Sequence, residues 1–179
     1  MKFIAIDELN HFDYHDAAIT AIDWHGGDFV WRLEAVNATT ENSQNSYPKH
    51  MCISNAEIIF NNARIESIVF NAYKSTYKPL GGVEVVTESV SARAAAPEEY
   101  DKILNKTANS FNYIYHMEYD KYIKAADGRF STCFDIGGSD DGMGYVITIS
   151  FSQAIVSWDE YSGEAWYEHP KWKKQEEGE

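Results

Sequence analysis

The densest group of side chains that could do chemistry lies within six residues, from His11 to Asp16. The imidazoles of His11 and His15 alternate with the carboxylate of Asp13. Imidazole and carboxylate groups are both ligands for divalent metals. On an extended strand His11, Asp13 and His15 would share one face, which predicts a set of three metal ligands. The alternative is a turn at His15 and Asp16 that leads into the next strand, with Asp16 accepting backbone N–H bonds.

Two other patterns resemble chemical motifs without completing them. Residues 135–144 are rich in glycine and aspartate but lack the ligand spacing of an EF-hand and the lysine of a phosphate-binding loop, so they favour a hairpin loop. His50 and Cys52 would share a strand face, but a nucleophile and its base need a third, orienting group, and the sequence shows none. We therefore expect that the protein is not an enzyme and that it binds no cofactor.

The charge of the chain restricts its partners. Fifteen Lys and Arg against 28 Asp and Glu give a formal net charge of −13. This charge opposes binding to nucleic acid and to anionic membranes. It favours solubility, which is the simpler interpretation, and it could also steer a basic protein partner toward the chain. Two acidic segments follow late strands. We predict that they form one partner-binding face at an edge of the sheet, made by Asp140, Asp141, Asp159, Glu160 and Glu164.

Length and termini bound the organisation of the chain. Its 179 residues predict a single globular domain over residues 1–170 and a charged, frayed tail over 171–179. Two cysteines without a CxxC pair exclude a zinc ribbon, and a chain of this length needs no disulfide. The first residues turn acidic too early for a signal peptide, and no apolar run is long enough to span a membrane. We expect a cytoplasmic protein and leave its oligomeric state open.

Local patterns predict a mainly β protein. Gly26 and Gly27 form a two-residue hairpin loop, which pairs Trp24 with Phe29, Ile22 with Trp31 and Thr20 with Leu33. A second hairpin is predicted to turn at 61–63, a loop to follow over 73–82, and a strand over 83–90. Pro97, the acidic residues after it and an apolar stripe of helical period predict a helix from Pro97 to Asn109. Strands of period two are predicted around 111–119, 130–136, 145–151 and 154–158.

About nine strands and one helix, with no alternation of strands and helices, indicate the fold class. We predict an antiparallel β-sandwich, or a strongly bent sheet, with one helix near 97–109 against it. This is a mainly β, α+β protein.

The first hairpin and its entry resemble a known pattern. The junction Tyr14-His15-Asp16-Ala17, the spaced Ile19 and Ile22, the glycine turn and the alternating strand 29–33 resemble small bacterial proteins. Some of those proteins look like immunity proteins of polymorphic toxin systems. The resemblance covers about a third of the chain. It implies an interaction role and assigns no catalytic residue.

Three functions are compatible with the sequence. The first is a non-catalytic interaction protein, in particular an immunity protein that neutralises a basic toxin. The second is a β domain that binds a small ligand or carbohydrate, because aromatic side chains make up 15% of the chain. The third is a metal-dependent enzyme that uses the His11–Asp16 cluster.

Overall fold

Residues 1–79, 83–110, 112–138 and 143–169 are described by a computed structural model, and they form mainly antiparallel strands. Asp140, Asp141 and the predicted tail 171–179 lie outside the described residues. The strands are β1 (Phe3–Ile6), β2 (Phe12–Asp13), β3 (Ala17–His25), β4 (Asp28–Glu34), β5 (Val36–Ala38), β6 (Met51–Ile53), β7 (Ala56–Asn61), β8 (Arg64–Pro79), β9 (Val83–Ser89), β10 (Arg93–Ala94), β11 (Asn112–Met117), β12 (Ile123–Lys124), β13 (Phe130–Gly138), β14 (Met143–Phe151), β15 (Gln153–Trp158) and β16 (Gly163–Glu164).

Most of these strands belong to one large sheet. Its order is β1-β15-β7-β4-β3-β11-β13-β14-β8-β10, with β12 beside β13 and β9 beside β8. Phe60 on β7 and Phe151 on β14 are five strand positions apart, about 24 Å in a flat sheet. Their ring centroids are nevertheless 5.1 Å apart. The sheet therefore bends strongly and closes over an aromatic core, which confirms the predicted fold class.

The first hairpin forms as predicted near its turn and differs further away. Gly26 and Gly27 have φ values of +61° and +99°, which favour glycine, and Trp24 pairs with Phe29 as expected. The predicted pair of Thr20 with Leu33 is wrong. A bulge at Thr20 shifts the register, so Leu33 pairs with Ile19. Because the bulge adds one residue to β3, the alternation of side chains between the two faces of the sheet shifts by one position after Thr20.

The second predicted hairpin is also wrong. A turn at residues 61–63 does connect β7 to β8, but the two strands do not pair with each other. β7 lies between β4 and β15, whereas β8 pairs with β14, β9 and β10. The loop predicted over residues 73–82 is instead strand as far as Pro79, because β8 continues against β9. The strand predicted over 83–90 is present as β9.

The predicted helix is present. A 3-10 turn, Pro97–Glu99, continues into α1 (Tyr100–Ala108), and Asn109 ends the helix by donating its backbone N–H to the Asn105 carbonyl. Thr107 is buried on the inner side of α1, and its hydroxyl lies 2.7 Å from the hydroxyl of Tyr145 on β14. In the described part of the chain no helix has both the length and the apolar character needed to cross a lipid bilayer.

A second, small sheet is joined to the large one by short connections. Its order is β16-β6-β5-β2, and each of its strands has two or three residues. β5 follows β4 after Ala35, whose φ of +61° bends the chain from the large sheet into the small one. The segment from Asp159 to Glu164 makes the same crossing from β15 to β16. Two clefts lie along this crossing.

Candidate functional site

The first cleft brings together residues from three neighbouring strands and the segment after β15. It encloses about 290 Å³, and its charged lining groups are the amine of Met1, Arg32 on β4, Glu57 on β7, and Asp159 and Glu160 beyond β15. We call it the acidic cleft. Its position follows from the ladder, in which Trp158 pairs with Ala56, and Ala56 with Leu33. Asp159 and Glu160 therefore leave the sheet beside Glu57 and Arg32.

Negative charge exceeds positive charge around this cleft. The Arg32 guanidinium is held by two carboxylates, 3.2 Å from Asp23 and 3.2 Å from Glu57. The amino group of Met1 lies 3.5 Å from the Asp159 carboxylate, whose side chain is 74% exposed, so water screens this pair. Glu160 makes no ion pair or hydrogen bond with any described residue. Three carboxylates, those of Glu57, Asp159 and Glu160, thus line the cleft with one guanidinium and one amine, and Asp23 contacts Arg32 from outside the lining.

The second cleft is lined by the later part of the crossing segment, residues 162–164. It encloses about 320 Å³ and is lined by His15, Asn37, Cys52, Glu164 and Trp166, among others. We call it the Trp166 cleft, because the Trp166 side chain is 55% exposed there. Glu164 pairs with Lys49 at 2.7 Å. The predicted acidic set is therefore divided: Asp159 and Glu160 line one cleft, and Glu164 lines the other.

The structure does not bring His11, Asp13 and His15 together as metal ligands. The prediction assumed an extended chain, but His11 ends a 3-10 turn and His15 lies in a turn before β3. The His11 imidazole lies 3.4 Å from a Glu8 carboxylate oxygen, and that of His15 lies 2.8 Å from the Tyr115 carbonyl oxygen. Among the described residues, no group of three or more His, Cys, Asp or Glu could hold a metal ion.

Asp13 has a different role from the predicted one. Its carboxylate accepts the backbone N–H of His15 at 2.9 Å, so Asp13 rather than Asp16 stabilises the turn before β3. The residue at the sharpest point of this turn is Asp16, with a φ of +64°. The turn itself is the alternative that the sequence left open.

Two phenols beside Asp13, the half-buried Tyr167 and the 45% exposed Tyr119, were not predicted from the sequence. The Tyr167 hydroxyl lies 3.0 Å from His50 Nδ1, and the Tyr119 hydroxyl donates to the Phe12 carbonyl at 2.8 Å. Burial, followed by the nearby Asp13 carboxylate, raises the pKa of Tyr119 to about 12 and raises the pKa of Tyr167 further. Both phenols are therefore neutral at physiological pH. Tyr167 connects the 3-10 turn Trp166–Glu168 to His50, which precedes β6, and Tyr119 connects a separate 3-10 turn, Tyr119–Lys121, to β2.

Comparison of the chain with models of protein families, with curated proteins and with solved structures found no match.

Proposed function

We propose that this chain is a non-catalytic interaction protein that receives a basic segment of a partner protein at the acidic cleft. Its role in this proposal is that of an immunity protein that neutralises a basic toxin. The observation that carries the proposal is the convergence of Glu57, Asp159 and Glu160 on one cleft, where Glu160 has no partner among the described residues. Such a site attracts a lysine or arginine side chain.

The size of the cleft supports a side chain as its occupant. Pockets for drug-sized ligands enclose about 300–1,000 Å³. The acidic cleft, at about 290 Å³, lies at the lower limit of that range. Complementary charge also accelerates encounter with the right partner, and the net charge of −13 extends this attraction beyond the cleft.

The test is protection of cells from the product of the reading frame immediately upstream of this gene. We expect co-expression of the wild-type chain to restore growth, and the double variant Asp159→Asn/Glu160→Gln to lower the surviving colony count at least tenfold. A matched control is Glu41→Gln/Asp120→Asn, which changes the net charge equally at exposed residues that line neither cleft. Absence of protection by the wild type, or an equal loss in the control, would contradict the proposal.

The Trp166 cleft supports a second candidate function, binding of a small carbohydrate. An exposed indole beside polar groups is suited to the face of a sugar ring. Here Trp166 lies with Asn37, Ser162 and Glu164 around about 320 Å³. Titration with mono- and disaccharides should then quench tryptophan fluorescence in the wild type and in Trp24→Ala, but not in Trp166→Ala. Trp24 is a suitable control because it is also exposed, at 42%, and lines neither cleft.

A further inference from the structure

The edge strand β1 of the large sheet exposes two large apolar side chains. β1 is the first strand of this sheet and pairs, among the described residues, only with β15. Its Ile4 and Ile6 side chains are 49% and 50% exposed, whereas Ala5 between them is buried in the core. Exposed hydrophobic edge strands attract further strands.

The hydrogen bonds of β1 show which backbone groups remain open. Asp7 donates its N–H to the Ala154 carbonyl at 2.8 Å. In an antiparallel ladder, residues that bond to the neighbouring strand alternate with residues that point away from it. Phe3 and Ala5 therefore bond to β15, and the N–H and C=O groups of Ile4 and Ile6 face the open side. Among the described residues no strand pairs with these outward groups, and the same two residues carry exposed apolar side chains.

An apolar stripe on the outer face of the sheet ends at this edge. Ile6 pairs with Ile155, Ile155 with Ile59, and Ile59 with Val30. Val30 is 5% exposed at the far end of the stripe, and Ile6 is 50% exposed at the edge. Another strand beside β1 would continue the stripe by placing an apolar side chain against Ile6.

The charges around β1 indicate what kind of strand fits. Phe3 pairs with Trp158, so Asp159 and Glu160 of the acidic cleft lie beside the first residues of β1. Asp7 follows the strand. The cation of Lys2 lies 5.0 Å from the centre of the Phe3 ring. A strand added to β1 lies about 10 Å from β15, close enough for a long basic side chain to approach Asp159.

We infer that β1 accepts an extended strand of the partner protein, with an apolar residue opposite Ile6 and a lysine or arginine directed at Asp159 and Glu160. This inference rests on the proposed function and specifies how the partner is recognised. A second copy of this chain fits less well, because each copy carries a net charge of −13.

The test uses a defined peptide in place of the partner. The probe is a capped hexapeptide of alternating threonine and valine that ends in two arginines. A second peptide has the arginines at its amino end, to allow for either strand direction, and a control peptide has glutamines in place of the arginines. Binding is measured by calorimetry at 50 mM salt, and backbone hydrogen exchange of the full chain is measured by NMR.

We expect exchange of the Ile4 and Ile6 amide protons to slow at least tenfold when one of the arginine peptides binds. The Ala5 amide, already bonded to β15, should change little. The glutamine peptide should bind at least fivefold more weakly. Ile6→Pro, which removes one outward N–H, should bind the arginine peptide at least tenfold more weakly; if this variant does not fold, the exchange measurement on the wild type still decides.

The outcomes separate the inference from the proposed function. Peptide binding that is weakened by Asp159→Asn/Glu160→Gln but leaves exchange at Ile4 and Ile6 unchanged overturns strand addition and leaves the acidic cleft as the binding site. Protection at both amides that is indifferent to the cleft variants overturns the role of the cleft and keeps strand addition. A wild-type chain that dimerises through β1 without peptide, or one that binds neither arginine peptide, overturns the inference.

Discussion

Truncation of the two tryptophans of the first hairpin should lower stability by different amounts. Trp31 is 1% exposed, and its ring lies 5.0 Å from Phe134 across the bent sheet and 5.6 Å from Phe60 on the neighbouring strand β7. Trp24, on the same hairpin, is 42% exposed and stacks on Phe29 at 4.5 Å. Trp31→Ala removes a ring from the centre of the core, whereas Trp24→Ala removes one that water can replace.

The structure sets the size of each effect. A fully buried indole removes up to about 250 Å² from water, which at about 25 cal/mol per Å² gives an upper estimate of about 6 kcal/mol. Measured truncations of buried aromatic residues cost about 3–5 kcal/mol, and we expect Trp31→Ala to fall in this range. Trp24 buries little more than half of its surface and leaves no closed cavity, so we expect Trp24→Ala to cost about 1–2 kcal/mol.

The assay is urea unfolding followed by far-UV circular dichroism, because each variant lacks a fluorophore. With a slope of about 2 kcal/mol per M, a loss of 4 kcal/mol lowers the midpoint by about 2 M. If Trp31→Ala does not fold, Trp31→Phe provides a milder test, expected to cost about 1–2 kcal/mol. The Trp31 indole N–H has no hydrogen-bond partner among the described residues, so Trp31→Phe loses no such bond. Equal losses for Trp31→Ala and Trp24→Ala, or a loss below about 1 kcal/mol for Trp31→Ala, would refute the bent-sheet core.

Four further results are expected. Tyr14→Phe should raise the free energy of unfolding by up to about 1 kcal/mol, because the buried Tyr14 hydroxyl has no partner among the described residues; a loss of stability would contradict this. Burial raises the pKa of Tyr145 to about 12. The stabilisation of the fold by this shift is therefore present below the unfolded pKa near 10, and it falls by about 3 kcal/mol as the pH rises from 10 to 12. Tyr145→Phe should flatten the pH dependence of the urea midpoint, and an unchanged profile would refute the assignment. Gly137→Ala should cost about 1–3 kcal/mol, because the added Cβ overlaps the Tyr115 ring, and markedly less in a Tyr115→Ala background; equal costs in both would rule out this contact. Dialysis against a chelator should leave the melting temperature unchanged, since the described residues contain no set of three metal ligands, and a fall reversed by zinc would contradict this.

Features specified by neighbouring residues could be predicted from the sequence. The hairpin turn needs only the positive φ values that Gly26 and Gly27 allow, and the adjacent pair of Trp24 with Phe29 follows from it. The helical segment begins with the 3-10 turn at Pro97 and is capped by Asn109, because proline, early carboxylates and a stripe of helical period act within a few turns. The mainly β fold class follows from period two in several segments.

The candidate site depended on contacts between distant segments. Period two indicates which face of a strand is buried but not which strand lies beside it, so β7 and β8 could be taken as a hairpin although β7 pairs with β15, about a hundred residues later in the chain. The bulge at Thr20 likewise depends on how β3 fits between β4 and β11. The free energy of strand pairing comes from side chains brought together across neighbouring strands, so the pairing depends on residues far apart in the chain. Only this tertiary pairing places Arg32, Glu57 and Asp159 around one cleft. The residue types that could bind a basic partner were thus visible in the chain, whereas the division of Asp159 and Glu160 from Glu164 was decided by the crossing between the two sheets.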